Sequence, residues 1–425
     1  MDKSLRGQII SLLKREVVPA VGCTEPAAVA LCVAKATETL GTIPEKIELH
    51  LSGNMIKNAM GVGIPGTGMI GLPIAVALGA IVGKSEYNLE VLRDVTPEAV
   101  ERGKQYIAEQ RIAISLDSEA PSNLYVNVRV FAGNKEARCV ISESHTNFVL
   151  IEKDGECIMK KDTSGSCESS GDDIVLNLKT VYDFATTAPL DEISFILEAK
   201  KLNLAAAEFA LKGNYGHSLG STVLHFGEQF FGDTPLAHAI TLTSAACDAR
   251  MGGAMVPVMS NSGSGNQGIT ATMPVVSYAN DINASEETTI RALTLSHLTS
   301  IYIKQSLGRL SALCGCVVAS TGASSALVYL MGGGYEQVCN AVKNMVANLT
   351  GMICDGAKPS CSMKISSGVS TAMMSAMLAM KGHAVTSAEG IVSEDVDATI
   401  HNLTSIGRDA MQATDSLVLK IMTSK

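Results

Sequence analysis

The 425-residue sequence contains no tryptophan, and aromatic residues make up only 4% of the chain. With 38 Gly and 19 Met beside abundant Ala and Ser, this composition favours helices that pack closely through small residues. The net charge of −9 argues against nucleic-acid binding, because phosphate contacts need clustered Lys and Arg. The sequence contains no basic amphipathic stretch of the kind that binds a membrane surface. The longest apolar run, GLPIAVALGAIVG, is shorter than the roughly 20 residues of a spanning helix.

Common short cofactor motifs are absent as well. The sequence has no HExxH pair and no CxxC pair, and its glycine-rich loop at 61–68 matches neither a P-loop nor GxGxxG. No lysine has neighbours that mark a pyridoxal-phosphate site, so we expect no pyridoxal phosphate. The N-terminus mixes charged and apolar residues at helical spacing, which predicts an amphipathic helix rather than a signal peptide. We therefore expect a cytoplasmic protein without nucleic-acid or membrane partners.

Periodicity predicts an α+β fold. Three alternating segments, 124–131, 137–142 and 148–153, are separated or followed by GN and DG turns and predict an antiparallel meander. The pattern after residue 174 is predominantly helical. We therefore predict a smaller α/β domain over 45–175 and a mostly helical domain over 176–425. We expect the N-terminal helices of residues 1–44 to pack back on the helical domain.

Cysteine is unusually abundant, with 11 residues. In a reducing compartment such a count does not predict a disulfide framework, so metal ligation or catalysis must be considered for a subset. The turn NLTGMICDGAKPSC contains Cys354 and Cys361, and RLSALC ends at Cys314. Cys23 lies just before a helix start at Thr24-Glu25-Pro26, where the helix dipole is expected to lower a thiol pKa. Burial at a tight turn is the alternative for Cys23.

A second polar segment, SNSGSGNQG at 260–268, lies between apolar stretches and predicts a substrate-binding loop rather than a flexible linker. We group the polar side chains of this segment with four polar residues elsewhere in the sequence as candidate substrate contacts. Arg250 and Arg309 are equally compatible with structural ion pairs, and the turn SESHTN with a purely structural role. The candidate substrate-binding residues are Ser260, Asn261, Ser262, Ser264, Asn266, Arg250, Arg309, His145 and Asn147.

Longer motifs carry a family resemblance that extends from Val17 to the closing MTSK. These motifs are AVGCTEPAAVAL, IPGTGMIGLPIAVALGA, SAACDARMGGAMVPVMSNSGSGNQGITATMPV, LSHLTSIYIKQSLGRLSALC and GMICDGAKPSC. In these motifs the chain resembles the bacterial and archaeal L-cysteine desulfidase family, which is related to the α domain of oxygen-sensitive iron–sulfur L-serine dehydratases.

The resemblance implies a [4Fe–4S] cluster held by three thiolates, which leaves one iron open to substrate. Carried onto this sequence, those ligands are Cys314, Cys354 and Cys361, in the helical domain. The cysteine of GCTEP is also functionally implicated in the desulfidase family, so Cys23 is either a further ligand or a catalytic base.

The implied activity is β-elimination of L-cysteine to pyruvate, ammonia and hydrogen sulfide by an oxygen-sensitive lyase. L-Serine dehydration by the same cluster is the nearest alternative. A non-catalytic metabolite or redox sensor that keeps the cluster, or a structural relative without one, are further alternatives. The expected partner is a small amino-acid substrate, and a homo-oligomer is compatible with the sequence.

Overall fold

A computed structural model describes residues 1–161, 174–308 and 311–424 of the chain. Most of the described chain is helical. The helices are α1 Lys3–Glu16, α2 Thr24–Leu40, α3 Gly53–Ala59, α4 Leu72–Ile81, α5 Pro97–Ala108, α6 Leu178–Thr187, α7 Leu190–Ile193, α8 Leu197–Leu211, α9 Leu219–Phe226, α10 Glu228–Phe231, α11 Pro235–Met251, α12 Gly265–Asp281, α13 Glu286–Leu307, α14 Gly315–Leu330, α15 Tyr335–Leu349, α16 Cys361–Met380, α17 Val396–Ser405 and α18 Gln412–Thr423.

Ten strands form three sheets in the described residues. The largest has six strands in the order β5-β2-β6-β7-β8-β9, in which β2 and β5 are parallel and the other neighbours antiparallel. Two small antiparallel pairs join β1 to β10 and β3 to β4. The strands are β1 Pro19–Val21, β2 Lys46–Leu51, β3 Gly63–Ile64, β4 Met69–Ile70, β5 Ile112–Leu116, β6 Tyr125–Ala132, β7 Lys135–Ser142, β8 Phe148–Lys153, β9 Glu156–Lys160 and β10 Pro257–Met259.

The α+β class predicted from the sequence is therefore confirmed. The three predicted strand segments correspond to β6, β7 and β8, and they pair in antiparallel order. Apolar and polar residues alternate along these strands because one face of each strand packs against the protein interior. The predicted boundaries at residues 45 and 175 remain predictions.

The helical region is built around α14, whose residues are mostly small. Helices α12, α13, α15 and α16 all pack against α14. A Cβ atom at Gly322 would lie 2.3 Å from the Ser296 carbonyl oxygen, so only glycine allows α13 and α14 to approach this closely. The low aromatic content thus corresponds to helices packed through Gly, Ala and Ser.

The N-terminal helices need a correction. We expected both to pack on the helical domain, and α1 does contact α13. Helix α2, however, packs against β6, β7 and β8 and against α4. It is buried almost all round, and the Cys32 thiol donates to the Cys139 carbonyl of the sheet over 3.3 Å. A helix that is apolar on every side needs cover on two faces, and here the sheet supplies one of them.

None of the helices in the described ranges is long and apolar enough to cross a membrane.

Candidate functional site

The three cysteines predicted as ligands come together. Cys314 and Cys354 lie on two short segments joined by a bridge between Leu313 and Ile353. The Cys314 amide donates to Met352 over 3.0 Å, and the Cys354 amide donates to Ala312 over 2.6 Å. These bonds bring the two thiols into contact with each other.

Two of the three thiols lie at helix starts. Cys314 is the residue before α14, and Cys361 is the first residue of α16. The N-terminus of a helix presents free N–H groups and a positive dipole end, which favour an anionic ligand such as a thiolate. All three cysteines are free thiols.

Positive side chains surround this cysteine cluster. The hydrogen bond from Cys314 holds the pKa of the Cys354 thiol below its usual range, against the effect of burial, and Lys57 and Lys364 act in the same direction. Lys364 donates to the Ile353 carbonyl over 2.9 Å and pairs with the Asp355 carboxylate. Cys354 is therefore in an environment that favours the thiolate form needed for metal binding.

These residues fit an iron–sulfur cluster by the chemistry of their donors. Thiolates are the usual protein ligands of such clusters, and Cys314, Cys354 and Cys361 meet at two helix starts beside lysines. Across residues 1–161, 174–308 and 311–424, no three His, Cys, Asp or Glu side chains stand close enough to bind a single metal ion. A four-iron cluster is larger, because each of its thiolates binds a different iron, so its ligands are spaced more widely.

Cys316 lies within electrostatic range of the proposed ligands Cys314 and Cys361. Its thiol donates to the Lys364 carbonyl over 3.1 Å, and burial raises its pKa to about 12. Both observations describe a packed, protonated thiol.

The environment of Cys23 differs from the prediction. Its position before α2 was expected to lower the thiol pKa, but burial and the neighbouring Glu25 carboxylate raise it. The thiol donates to Glu25 Oε2 over 2.9 Å. The helix dipole lowers a thiol pKa only slightly. Burial of the thiolate and repulsion by a neighbouring carboxylate raise it by more. The expectation of a lowered pKa at Cys23 is therefore wrong.

Glu25 is the main site residue that the sequence analysis missed. Its carboxylate also accepts from the Thr24 hydroxyl over 3.1 Å and from the Asn58 amide over 3.2 Å. Burial opposes its ionisation, but His145, the Cys23 thiol and Arg250 outweigh burial and lower its pKa. One signal was present in the sequence: Glu25 is the acidic residue in the first turn of α2, directly before its long apolar run.

The polar loop is largely occupied with its own structure. The Ser260 hydroxyl donates to the Val18 carbonyl over 2.7 Å. Asn261 donates to His297 and accepts from the Ser262 hydroxyl and from Gln267, each over about 2.9–3.2 Å. The loop is also shorter than expected, because Ser264 caps α12 and the helix begins at Gly265. The role of Ser260, Asn261, Ser262 and Ser264 as substrate contacts remains a prediction.

Asn266 and Arg250 are two further candidate substrate contacts, and they bond each other. Asn266 is half-buried on the first turn of α12, and its Oδ1 accepts from Arg250 Nη1 over 3.1 Å. Arg250 lies in the last turn of α11, which ends at Met251. The guanidinium is only 2% exposed, and its Nε has no hydrogen-bond partner. Among the described residues no carboxylate lies at ion-pair distance from it, an arrangement that is costly unless an anion binds there.

Cys247 connects this pair to the cysteine cluster. Its buried thiol contacts Asn266 Oδ1 over 3.6 Å and interacts electrostatically with Cys361 and Cys316. The carboxylate-binding candidates and the proposed cluster ligands therefore lie on two sides of one side chain.

Helix α3 connects the Glu25 region to the cysteine cluster. Asn58 donates to Glu25, while the preceding residue, Lys57, is buried beside Cys354. A Cβ at Gly356 would lie 2.2 Å from the Lys57 carbonyl oxygen, and Gly356 has a φ of +92°. Glycine is thus required where the cysteine turn meets α3. The Thr24 hydroxyl completes the arrangement by donating to the Gly263 carbonyl over 3.1 Å.

The other three predicted substrate contacts, His145, Asn147 and Arg309, lie in different surroundings or outside the described residues. His145 is buried near Glu25 and influences its charge. Asn147 is engaged within its own hairpin, since it donates to the Ser142 carbonyl over 3.1 Å and accepts from Lys161 over 2.8 Å. Arg309 lies outside the described residues.

Comparison with known proteins agrees with this geometry. A family described as the serine dehydratase alpha chain matches residues 86–420. The chain belongs to the serine dehydratase alpha-chain family. Its relatives include proteins named UPF0597 protein from Bacteroides thetaiotaomicron and Phocaeicola vulgatus, each 62% identical over 100% of this chain and 99% of the relative. A UPF0597 protein from Oleidesulfovibrio alaskensis is 49% identical over 98% of this chain and 97% of its own length.

Membership of the serine dehydratase alpha-chain family indicates a lyase of the serine dehydratase type. Iron–sulfur clusters are associated with this family. The matched region includes all three predicted thiolate ligands and the Arg250–Asn266 pair, but it begins after the GCTEP turn.

Proposed function

We propose that this protein carries out iron–sulfur-dependent β-elimination of L-cysteine, which gives pyruvate, ammonia and hydrogen sulfide. The observation that carries the proposal is the position of Cys247. Its thiol contacts Asn266, which bonds the buried Arg250 guanidinium, and it interacts electrostatically with Cys361 of the cysteine cluster. A substrate that binds both must be small and must carry an anionic group.

Cys314, Cys354 and Cys361 are the residues that would hold a [4Fe–4S] cluster. When bound, the cluster supplies an iron with an open position, which acts as a Lewis acid toward the substrate. Lys57 and Lys364 favour the thiolate form of the ligand set. Exposed iron of this kind would also make the activity oxygen-sensitive.

Arg250 binds the substrate carboxylate in this proposal. Its Nη1 is oriented by Asn266, and its Nε is available for a second contact. A guanidinium matches a carboxylate in two parallel hydrogen bonds, which fixes orientation as well as charge. The substrate would then lie between α11, the start of α12 and the cysteine cluster.

Cys23 carries its proton at Sγ and donates it toward Glu25. Because burial and the Glu25 carboxylate raise its pKa, the thiol is a poor acid toward the leaving sulfide, and action as a base would first require loss of that proton. Either role therefore requires that the contact between Cys23 and Glu25 change when substrate binds. The overall elimination removes the α-proton and breaks the Cβ–S bond, and water hydrolyses the resulting aminoacrylate to pyruvate and ammonia. We propose Cys23 as a proton-transfer group on that condition, and we retain no role for it as a fourth ligand.

L-Serine is the second candidate substrate, because the family is described by serine dehydration. Loss of hydroxide instead of sulfide needs the same carboxylate contact and the same thiolate ligands. A sensor that keeps the cluster without turnover is the alternative from another functional class.

The test is anaerobic reconstitution with iron and sulfide, followed by parallel assays of pyruvate from L-cysteine and from L-serine. We expect bound iron and acid-labile sulfide in stoichiometric amounts, and pyruvate with equimolar sulfide from L-cysteine. Cys157→Ser is the matched control, since Cys157 is an exposed free thiol on β9.

Each outcome leads to a different assignment. Faster pyruvate formation from L-serine would make the protein a dehydratase. A bound cluster without pyruvate from either substrate would favour the sensor, and absence of bound iron after reconstitution would contradict the proposal altogether.

A further inference from the structure

Two opposite charges are buried in the candidate site without contacting each other. Glu25 is 8% exposed and Arg250 is 2% exposed. They influence each other electrostatically, but no ion pair joins either of them to another residue within the described parts of the chain. His145 also acts on Glu25, and more strongly than Arg250 does. A buried carboxylate and a buried guanidinium within electrostatic range of each other match the two charges of a small zwitterion.

The donors that Glu25 now has are all neutral. They are the Cys23 thiol at 2.9 Å, the Thr24 hydroxyl at 3.1 Å and the Asn58 amide at 3.2 Å. The Cys23 thiol and the Thr24 hydroxyl share Oε2, and a thiol is the weaker of these two donors. A cationic N–H group binds a carboxylate roughly twice as strongly as a neutral donor does. An ammonium group would therefore displace the Cys23 thiol and leave the other two donors in place.

We propose that Glu25 binds the α-ammonium group of the substrate while Arg250 binds its α-carboxylate. This inference rests on the proposed function and narrows its substrate class to free α-amino acids. Displacement from Glu25 also releases the Cys23 thiol, which then faces the bound substrate. Hydroxy acids, N-acylated amino acids and simple carboxylates keep only the contact with Arg250 and are discriminated against.

The test is calorimetric binding of ligands that cannot eliminate, carried out anaerobically on the reconstituted protein. L-Alanine has both charged groups and no leaving group, propionate lacks the ammonium group, and N-acetyl-L-alanine has it blocked. We expect the wild-type protein to bind L-alanine at least about tenfold more tightly than either analogue, the ratio expected for one charge-assisted hydrogen bond.

Variants separate the two contacts. Glu25→Gln should weaken L-alanine binding about tenfold and leave propionate binding unchanged, because only the ammonium contact is lost. Glu25→Asp should restore part of the preference. Arg250→Gln should weaken all ligands that carry a carboxylate. Glu152→Gln, in an exposed ion pair on the sheet, is the matched control and should change neither affinity.

Equal affinity of the wild-type protein for L-alanine and propionate would overturn the inference, and this comparison needs no variant to fold. Equal weakening of both ligands by Glu25→Gln would also overturn it, since that result describes a structural role. Pyruvate formation is measured separately. Turnover of L-cysteine without an ammonium preference removes only this inference, and an ammonium preference without turnover removes only β-elimination.

Discussion

Cys23 and Cys354 belong to the same site, and the charges around them have opposite sign. Cys354 has Lys57 and Lys364 nearby, and its pKa is lowered. Cys23 has the Glu25 carboxylate at 2.9 Å, and its pKa is raised. Both thiols are removed from water, which alone would raise both values. At Cys354 the hydrogen bond from Cys314, helped by Lys57 and Lys364, outweighs burial, whereas at Cys23 the Glu25 carboxylate adds to the effect of burial.

The two regions are only one residue apart on α3. Lys57 acts on the cysteine turn and Asn58 acts on Glu25. A helix of seven residues thus supplies a cation to one region and a neutral donor to the other. The site is divided into a part suited to thiolate ligands and a part suited to protonated donors, and this division can be tested by substitution.

The largest effect is expected from exchanging the two cysteines for serine one at a time. Cys354→Ser should abolish bound iron and the visible absorption of the reconstituted protein, because it removes a thiolate ligand. Cys23→Ser should retain both, because Cys23 is a protonated neighbour of Glu25. Iron content and absorption spectra measure this. Loss of the cluster in Cys23→Ser would erase the contrast and make Cys23 a ligand.

The next effect concerns the charge beside Cys23. Glu25→Gln removes an anion from the thiol, so the pKa of Cys23 should fall by about one unit or more. The measurement is the pH dependence of Cys23 alkylation by iodoacetamide in the cluster-free protein, resolved by peptide mass spectrometry. Alkylation should begin at lower pH than in the wild type. An unchanged profile would show that burial alone sets the Cys23 pKa.

The same experiment on the other region should shift in the opposite direction. Lys57→Gln removes a cation from Cys354, so the pKa of that thiol should rise, by less than about one unit because the Cys314 hydrogen bond is retained. Alkylation of Cys354 should therefore begin at higher pH. Lys3→Gln, on the exposed start of α1, is the control. A shift of the same sign as in Glu25→Gln would contradict the opposite roles of the two charges.

The smallest effect is expected at Thr24, which joins the Glu25 region to the polar loop. Thr24→Val removes hydrogen bonds to Glu25 and to the Gly263 carbonyl. We expect a loss of about 1–2 kcal/mol in the free energy of unfolding, because the single proton that the hydroxyl shares between the two acceptors is lost. Thr186→Val is the matched control, since its hydroxyl bonds carbonyls of the preceding helical turn. Equal losses in denaturant unfolding would show that Thr24 has no special role.

Much of the fold was determined by local sequence. The strands β6, β7 and β8 were predicted with bounds close to those observed, since each has one buried and one open face and so alternates. The cysteine turn was also identified, because its Gly, Pro and Asp residues exclude a regular helix there. Cys354 and Cys361 were recognised within it as neighbours in sequence.

Other features depended on contacts between distant segments. Nothing around Lys57 in the sequence indicates that it is buried beside Cys354, or that Cys247 lies between Asn266 and Cys361. The polar loop was interpreted as substrate-binding from its composition, but composition does not say that Ser260 bonds Val18, 242 residues away in the chain. Hydrogen-bonding capacity is a local property, whereas its use is decided by what lies opposite.

The sequence by itself thus determined which residues are chemically capable: three cysteines in or near turns, a capped helix after Cys23 and a polar segment before α12. The tertiary structure decided which of them are charged, paired or free. It placed Asn58 against Glu25 and, among the described residues, left Arg250 Nε without a hydrogen-bond partner. The physical reason is that a pKa and a hydrogen-bond partner both depend on distances of a few ångströms between groups far apart in the chain.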